Sequence, residues 1–161
     1  MTRAEAASEG QDTSPAGIRI DGVSTNDLPA VRTLLDTGGL PHEDLGPDHL
    51  TRFLAARVDG KLVGIVGFEK YGTLGLVRSL CVEPFYRGSG IGRTLLDRIE
   101  AAALSEGITW LYALTMTIET MLVRRGYEPV PRDDAPDDIR QTSEFRGLCP
   151  DSAALLRKCL R

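Results

Sequence analysis

The stretch SLCVEPFYRGSGIGRTLLDRIEAA, residues 79–102, does most to limit what this chain can fold into. An apolar run of strand character meets glycines at 88, 90 and 92. Beyond them Ile91, Leu95, Ile99 and Ala102–Ala103 recur at helical spacing. Glycines at such a junction let backbone N–H groups approach a ligand with no Cβ in the way. The free N–H groups and dipole of the first helical turn favour an anion there. Two phosphate cradles begin like this, and both fail on spacing. G-x-G-x-x-G needs a glycine where Arg93 or Leu95 stands. G-x-x-x-x-G-K-[ST] needs a lysine, and Gly92 is followed by Arg93. What remains is Arg87-x-x-Gly90-x-Gly92. With Arg87 and Arg93 adding charge-assisted bonds, it reads as a bowl for a diphosphate or as a glycine-rich turn with two solvated arginines.

The rest of the chain supplies a sheet and helices around that junction. IRIDGV (18–23) alternates as a short strand, and STNDLPAVRTLLDTGGL follows as a capped helix with Leu28, Val31, Leu34 and Leu35 on one face, ended by Gly38–Gly39. Residues 41–50 read as loop with a short helical turn. RFLAARV and KLVGIVGFEKY flank Asp59–Gly60 as a hairpin, with Gly64 and Gly67 marking close backbone contacts or a bulge. TLGLVRSLCV (73–82) is an apolar strand, and TWLYALT (109–115) is a buried one. IETMLVRRG is a short helix closed by Gly126, YEPV a further strand, and 131–150 a proline- and charge-rich excursion with a helical turn at APDDIRQ. AALLRKCL closes the sheet. The unit at 74–115 predicts two parallel neighbouring strands joined by a helical crossover. The fold class is therefore α/β (α+β), a sheet with helices on its faces.

With 161 residues and 42% hydrophobic content, one globular domain spanning 18–161 is expected behind a polar, aperiodic, disordered leader, 1–17. Net charge −4 and pI near 5.2 argue against a nucleic-acid partner. No run approaches the ~20 apolar residues of a membrane span. Cys81, Cys149 and Cys159 form no CxxC pair, so reduced thiols, no metal and a cytoplasmic setting are expected.

LCVEPFYRGSGIGRTLLDRIEAAALSEGITWLYALT resembles the acetyl-CoA-binding core of the Gcn5-related N-acetyltransferase (GNAT) superfamily. Its signature [RQ]-x-x-G-x-[GA] is matched by Arg87, Gly90 and Gly92 after a V-x-P step, Val82-Glu83-Pro84. The order of elements from residue 18 onward fits as well. GLPHEDL, GFEKYGTLGLVRSLCV and TSEFRGLCPDSAALLRKCL resemble the arsenic-resistance-associated subgroup, with bacterial N-acetylglutamate synthase domains as near relatives.

The resemblance implies a mostly antiparallel mixed sheet with a splayed pair of parallel central strands. It implies direct attack of a substrate amine on the acetyl thioester, and a small-molecule partner, with a homodimer admitted. Main chain at Leu80, Cys81 and Val82 would pair with the pantetheine arm, the Leu80 N–H would hold the thioester oxygen, and Arg87, Gly88, Ser89, Gly90, Ile91, Gly92 and Arg93 would take the pyrophosphate. Two departures stand out. The tyrosine many relatives use to protonate the leaving thiolate is replaced by Leu122, and the usual strand carboxylate by Leu76. Tyr127 aligns with a core aromatic. Glu69 and Glu83 are the candidate bases, Thr115 a candidate to hold substrate or water, and His42 and His49 read as surface histidines.

Arg78 lies in an otherwise apolar strand and needs an anionic partner. A substrate carboxylate, phosphonate or arsonate would serve, and so would an internal Glu69 or Glu83. The acceptor expected is a small, anionic, amino-acid-like amine, an arsenical or phosphinothricin-like compound included. The alternatives are an N-acetylglutamate-synthase-like enzyme and a non-catalytic coenzyme A-binding module, to which the missing proton-transfer residues point.

Overall fold

The computed structural model describes residues 12–14, 17–148 and 152–160. The rest of the leader and Cys149 lie outside them. The strands are β1 Asp12–Ser14, β2 Ile18–Gly22, β3 Phe53–Val58, β4 Lys61–Tyr71, β5 Leu74–Val82, β6 Trp110–Thr115, β7 Glu128–Val130 and β8 Ala154–Cys159. The α-helices are α1 Leu28–Thr37, α2 Ile91–Ser105, α3 Glu119–Arg124 and α4 Asp137–Arg140. The chain divides into two compact units, residues 1–67 with 79–99, and 68–78 with 100–161. No described helix is long and apolar enough to cross a membrane.

In the first unit β1, β2, β3 and β4 pair antiparallel in chain order. Three residues that the sequence assigns to a disordered leader thus form a strand, Asp12–Ser14 against Ile18–Ile20. Asp59 at φ 52 and Gly60 at φ 81 both turn left-handed, as a two-residue turn matching the twist of its strands requires. The bulge expected near Gly64 and Gly67 falls beside Gly64: the register passes from Ala56↔Gly64 to Arg57↔Leu62, which leaves Val63 as the extra residue on β4.

Alternation along these strands separates two packing faces. Ala55 and Ile65 join Val31, Leu34 and Leu35 of α1, together with Leu45, Leu50, Phe53 and Cys81, in one buried cluster. Gly64, the neighbour of Ile65, faces the other way. A Cβ there would lie 3.1 Å from Leu95 and 3.3 Å from Ile91, on the first turns of α2. The N-terminal end of α2 is therefore seated by a glycine that lets it come close.

In the second unit β5 runs parallel to β6 from Leu74↔Trp110 to Val77↔Ala113. β8 pairs antiparallel with β6 on its other edge, and β7 with β8. The parallel pair and its helical crossover match the sequence expectation. β5 continues for five residues past the last rung of that ladder. The excursion after β7 covers one face, where Ala135 and Ile139 pack on Leu76, Tyr112 and Leu155.

Gly67 is the tightest packing constraint in the hairpin, because a Cβ there would fall 2.3 Å from the buried Phe53 ring. Gly67→Ala should cost about 1–3 kcal/mol of stability, the usual range for overpacking a close-packed core. Gly22→Ala, which meets nothing within 4 Å, is the control. Denaturant melts of the two variants check this, and equal midpoints would refute it.

Candidate active site

Strand β5, the glycine loop and the start of α2 supply the main-chain groups. Val82 ends β5, and the Glu83 N–H donates to the Val63 carbonyl at 2.8 Å. Pro84–Tyr86 then form one 3-10 turn. Gly88 and Gly90 follow at φ 81 and 91, values that favour glycine. The Thr94 N–H and hydroxyl both donate to the Gly90 carbonyl at 3.0 Å. Gly90 is thus the cap, and the N–H groups of Ile91, Gly92 and Arg93 form the open first turn of a 15-residue helix.

The loop has room above it. No heavy atom lies within 4 Å of a Cβ built at Gly88, and only the Arg93 guanidinium, at 3.3 Å, comes that near at Gly90. Backbone donors, a helix N-terminus and an arginine at one point are the groups a diphosphate needs. The Arg87 Nε donates to the Val82 carbonyl at 2.8 Å and braces the loop against the strand. Ser89 likewise donates to the Tyr86 carbonyl, at 2.6 Å.

Within β5, Ser79 holds a left-handed φ of 64. This inversion breaks the parity that would place Leu76, Arg78 and Leu80 on one face. Cys81 packs beneath α1, its thiol 3.5 Å from the Leu34 carbonyl and buried in the apolar cluster. Burial raises its pKa, against a smaller lowering from Arg87. Cys81 is a packed thiol.

Arg78 finds its anions inside the protein. Its side chain is 0% exposed, with Nη1 2.7 Å from Glu69 and Nη2 3.2 Å from Glu144. Tyr71 donates its hydroxyl to the other oxygen of Glu69. The assignment of Arg78 to a substrate oxyanion is thus corrected in favour of the internal pairing, with a second carboxylate the sequence reading did not single out. Glu144 sits in the excursion on a short π-helical turn, Glu144–Leu148, and no periodic pattern there signals it.

The remaining assignments sort by their partners. Glu69 keeps a side chain 12% exposed while fixed by two donors. Glu83 pairs with Lys61 at 3.2 Å, near the exposed end of the hairpin. Thr115 accepts the N–H groups of Thr117 and Ile118 at 3.1 and 3.0 Å, so its oxygen caps the approach to α3. His42 pairs with Asp36 at 2.6 Å, and His49 accepts the Gly46 N–H at Nδ1.

Leu122 is buried, with an exposure of 1%. Tyr127, 2% exposed, donates its hydroxyl to Glu100 at 2.8 Å, and Arg125 and Lys158 hold the same carboxylate. Burial, then the Glu100 charge, pushes the phenol well above its ordinary pKa. A proton bound that firmly is a poor one to deliver. Tyr127→Phe should leave turnover within twofold and cost about 1.5–3 kcal/mol of stability, the scale of one hydrogen bond to a charged group. Initial rates and thermal melts measure the two effects. A rate loss of ~10²-fold, the scale of a lost general acid, would overturn this assignment.

Comparison with known proteins agrees with this geometry. Residues 27–125 match the model of the acetyltransferase (GNAT) family. An uncharacterized N-acetyltransferase of Chlorobaculum tepidum is 30% identical over 93 residues, 57% of this chain and 59% of that protein. An amino-acid acetyltransferase of Ralstonia nicotianae is 31% identical over 138 residues, 74% of this chain and 31% of that protein. The chain thus spans under two thirds of the length of either relative. Among solved structures, N-acetylglutamate synthase from Neisseria gonorrhoeae, complexed with coenzyme A and N-acetyl-glutamate, superposes with a TM-score of 0.79 over 92% of this chain and 36% of that one, at 24% identity. The glycine loop and α2 fall inside the matched region, and the chain belongs to the acetyltransferase (GNAT) family.

Proposed function

We propose that the protein transfers the acetyl group of acetyl-CoA to the amine of a small, amino-acid-like molecule. The observation that carries the donor half is the loop at 87–93: Gly88 and Gly90 at positive φ, opening a helix whose first N–H groups are free of intrahelical partners. These groups and Arg93 would take the diphosphate, while main chain at Leu80–Val82 would take the pantetheine arm. The Leu80 N–H, directly after the inverted Ser79, would hold the thioester oxygen as it becomes an oxyanion.

The amine lone pair attacks the thioester carbon, an N–C bond forms and the C–S bond breaks. An ammonium must first lose one proton, and Glu69 is the proposed acceptor: its carboxylate is oriented by Tyr71 and Arg78 and keeps access to solvent. The tetrahedral intermediate retains a second proton on its nitrogen, which passes to the departing sulfur. No tyrosine at position 122 is then required.

The same proton inventory selects the acceptor. A lysine-type amine costs about 4.6 kcal/mol to deprotonate at pH 7 and the α-amine of a peptide or amino-acid amide, near pKa ~8, about 1.4, with the α-amine of a free amino acid between the two because its own carboxylate makes it more basic. The relatives named for amino-acid acetylation support this reading. Their likeness favours it over an arsenical acceptor, which rests on the sequence resemblance alone.

Two experiments test the halves separately. Gly92 meets only Val82, 4.0 Å from a built Cβ, and a carboxylate is welcome in a first helical turn. Gly92→Asp should therefore fold normally while its charge opposes the diphosphate. Calorimetry should show coenzyme A affinity falling at least ~100-fold, about 2.7 kcal/mol. Unchanged affinity in a folded variant would remove the loop from the donor site.

For the acceptor, specificity constants compared across glutamate, neutral amino acids, amino-acid amides, aminophosphonates, an aminoarylarsonate and Nα-blocked lysine should favour free α-amines. The margin of a free amino acid over the blocked lysine should be on the order of 10-fold. Glu69→Gln should lower the rate by ~10²-fold for every acceptor. Blocked lysine turning over as well as the α-amines would refute the acceptor assignment, and an undiminished Glu69→Gln would refute the base.

A further inference from the structure

Phe85 presents its ring to solvent with 84% of the residue exposed. Single exposed apolar residues are ordinary, so its surroundings decide what it means. It sits at the centre of the Pro84–Tyr86 turn, which the Tyr86 N–H closes onto Glu83 at 2.9 Å and the Arg87 N–H onto Pro84 at 3.2 Å. The Tyr86 ring meets it edge to face, with centroids 5.1 Å apart and planes at 81°. Ser89 and Arg87 tie the same turn to the loop and to the end of β5. The ring is thus an exposed aromatic on a braced arch, two residues before the loop that takes the diphosphate.

This inference rests on the donor reading above. The diphosphate of coenzyme A is joined to an adenosine, a flat heteroaromatic carried within a few bonds of the anion. Phe85 and Gly90 are five residues apart in sequence, and the turn between them is compact. We propose that Phe85 is the stacking platform for the adenine of acetyl-CoA, which makes it the residue that separates coenzyme A-borne donors from truncated ones. Stacking of a base on an aromatic side chain needs only a π-face and no hydrogen-bond partner, which suits a ring with no polar atom of its own.

The test compares two donors on the full chain. Acetyl-CoA carries the adenosine, whereas S-acetyl-4′-phosphopantetheine keeps a phosphate and the same thioester without it. Phe85→Ala should raise the KM for acetyl-CoA 10- to 100-fold with kcat preserved, and leave the KM for the truncated donor unchanged. Phe85→Trp should restore acetyl-CoA to wild-type values. The exposed site predicts an unchanged melting temperature for both variants. Equal losses on the two donors, or no loss on either, would overturn the platform. A wild-type protein that binds coenzyme A in neither calorimetry nor turnover would overturn the donor reading and the platform with it. That result is distinct from one in which the wild type binds and only the Phe85 ratio fails.

Discussion

Ser79 holds a φ of 64 inside β5, a conformation that costs a residue with a Cβ about 1–2 kcal/mol. An unbroken strand alternates its side chains with a period of two and commits each residue to one face. The inversion suspends that commitment for one step. Before it, Arg78 turns to Glu69 and Glu144; after it, Cys81 packs under α1. It also re-aims the amide that follows, that of Leu80, which is the group proposed to meet the developing oxyanion. Irregular strand positions of this kind gather next to active sites because they turn one group out of the ladder.

The buried arginine shows how a sound physical rule can be right about a need and leave its supplier open. A guanidinium with no exposed surface must be compensated, and that much follows from one arginine in an apolar strand. Glu69 is nine residues away in sequence and lies within the set of partners the rule suggests. Glu144 is sixty-six residues away, on a helical turn inside a stretch whose composition reads as loop. Pairing across that separation is a property of the folded chain. With two carboxylates on it, this guanidinium has little to offer a third, and removing Arg78 would leave two buried carboxylates without their cation.

Features that depend on backbone geometry at a single site were legible. Asp59–Gly60 specifies its turn because two successive left-handed residues are needed there. Gly38–Gly39 end α1, and the loop glycines open α2, for related reasons. The capping role of Thr115 was not legible, because a hydroxyl before a short helix serves a backbone and a ligand equally well. The β1 strand was missed because three polar residues without alternation gain their order from β2. Within the candidate site, the conformation of the glycine loop could be read, and the partners of Arg78, Glu69 and Thr115 could not.

That asymmetry has a physical origin. A diphosphate is gripped largely by main-chain N–H groups, and a chain can vary its side chains widely without removing them. What must be preserved is the permission to approach, which glycine grants and which leaves a mark in the sequence. An acceptor amine is recognised and deprotonated by side chains, whose roles depend on neighbours drawn from distant segments. Glu69 acquires its orientation from Tyr71 and Arg78, and Arg78 in turn is held by Glu144. Leu76 and Leu122 are legible as losses because the family places proton-transfer groups there. The carboxylate proposed in their place, Glu69, is legible only once the strands have brought it, the Tyr71 phenol and the Arg78 guanidinium together. Under the proposed function, a chain built this way would keep its donor while changing its acceptor by altering a few side chains around Glu69, leaving the glycine loop untouched.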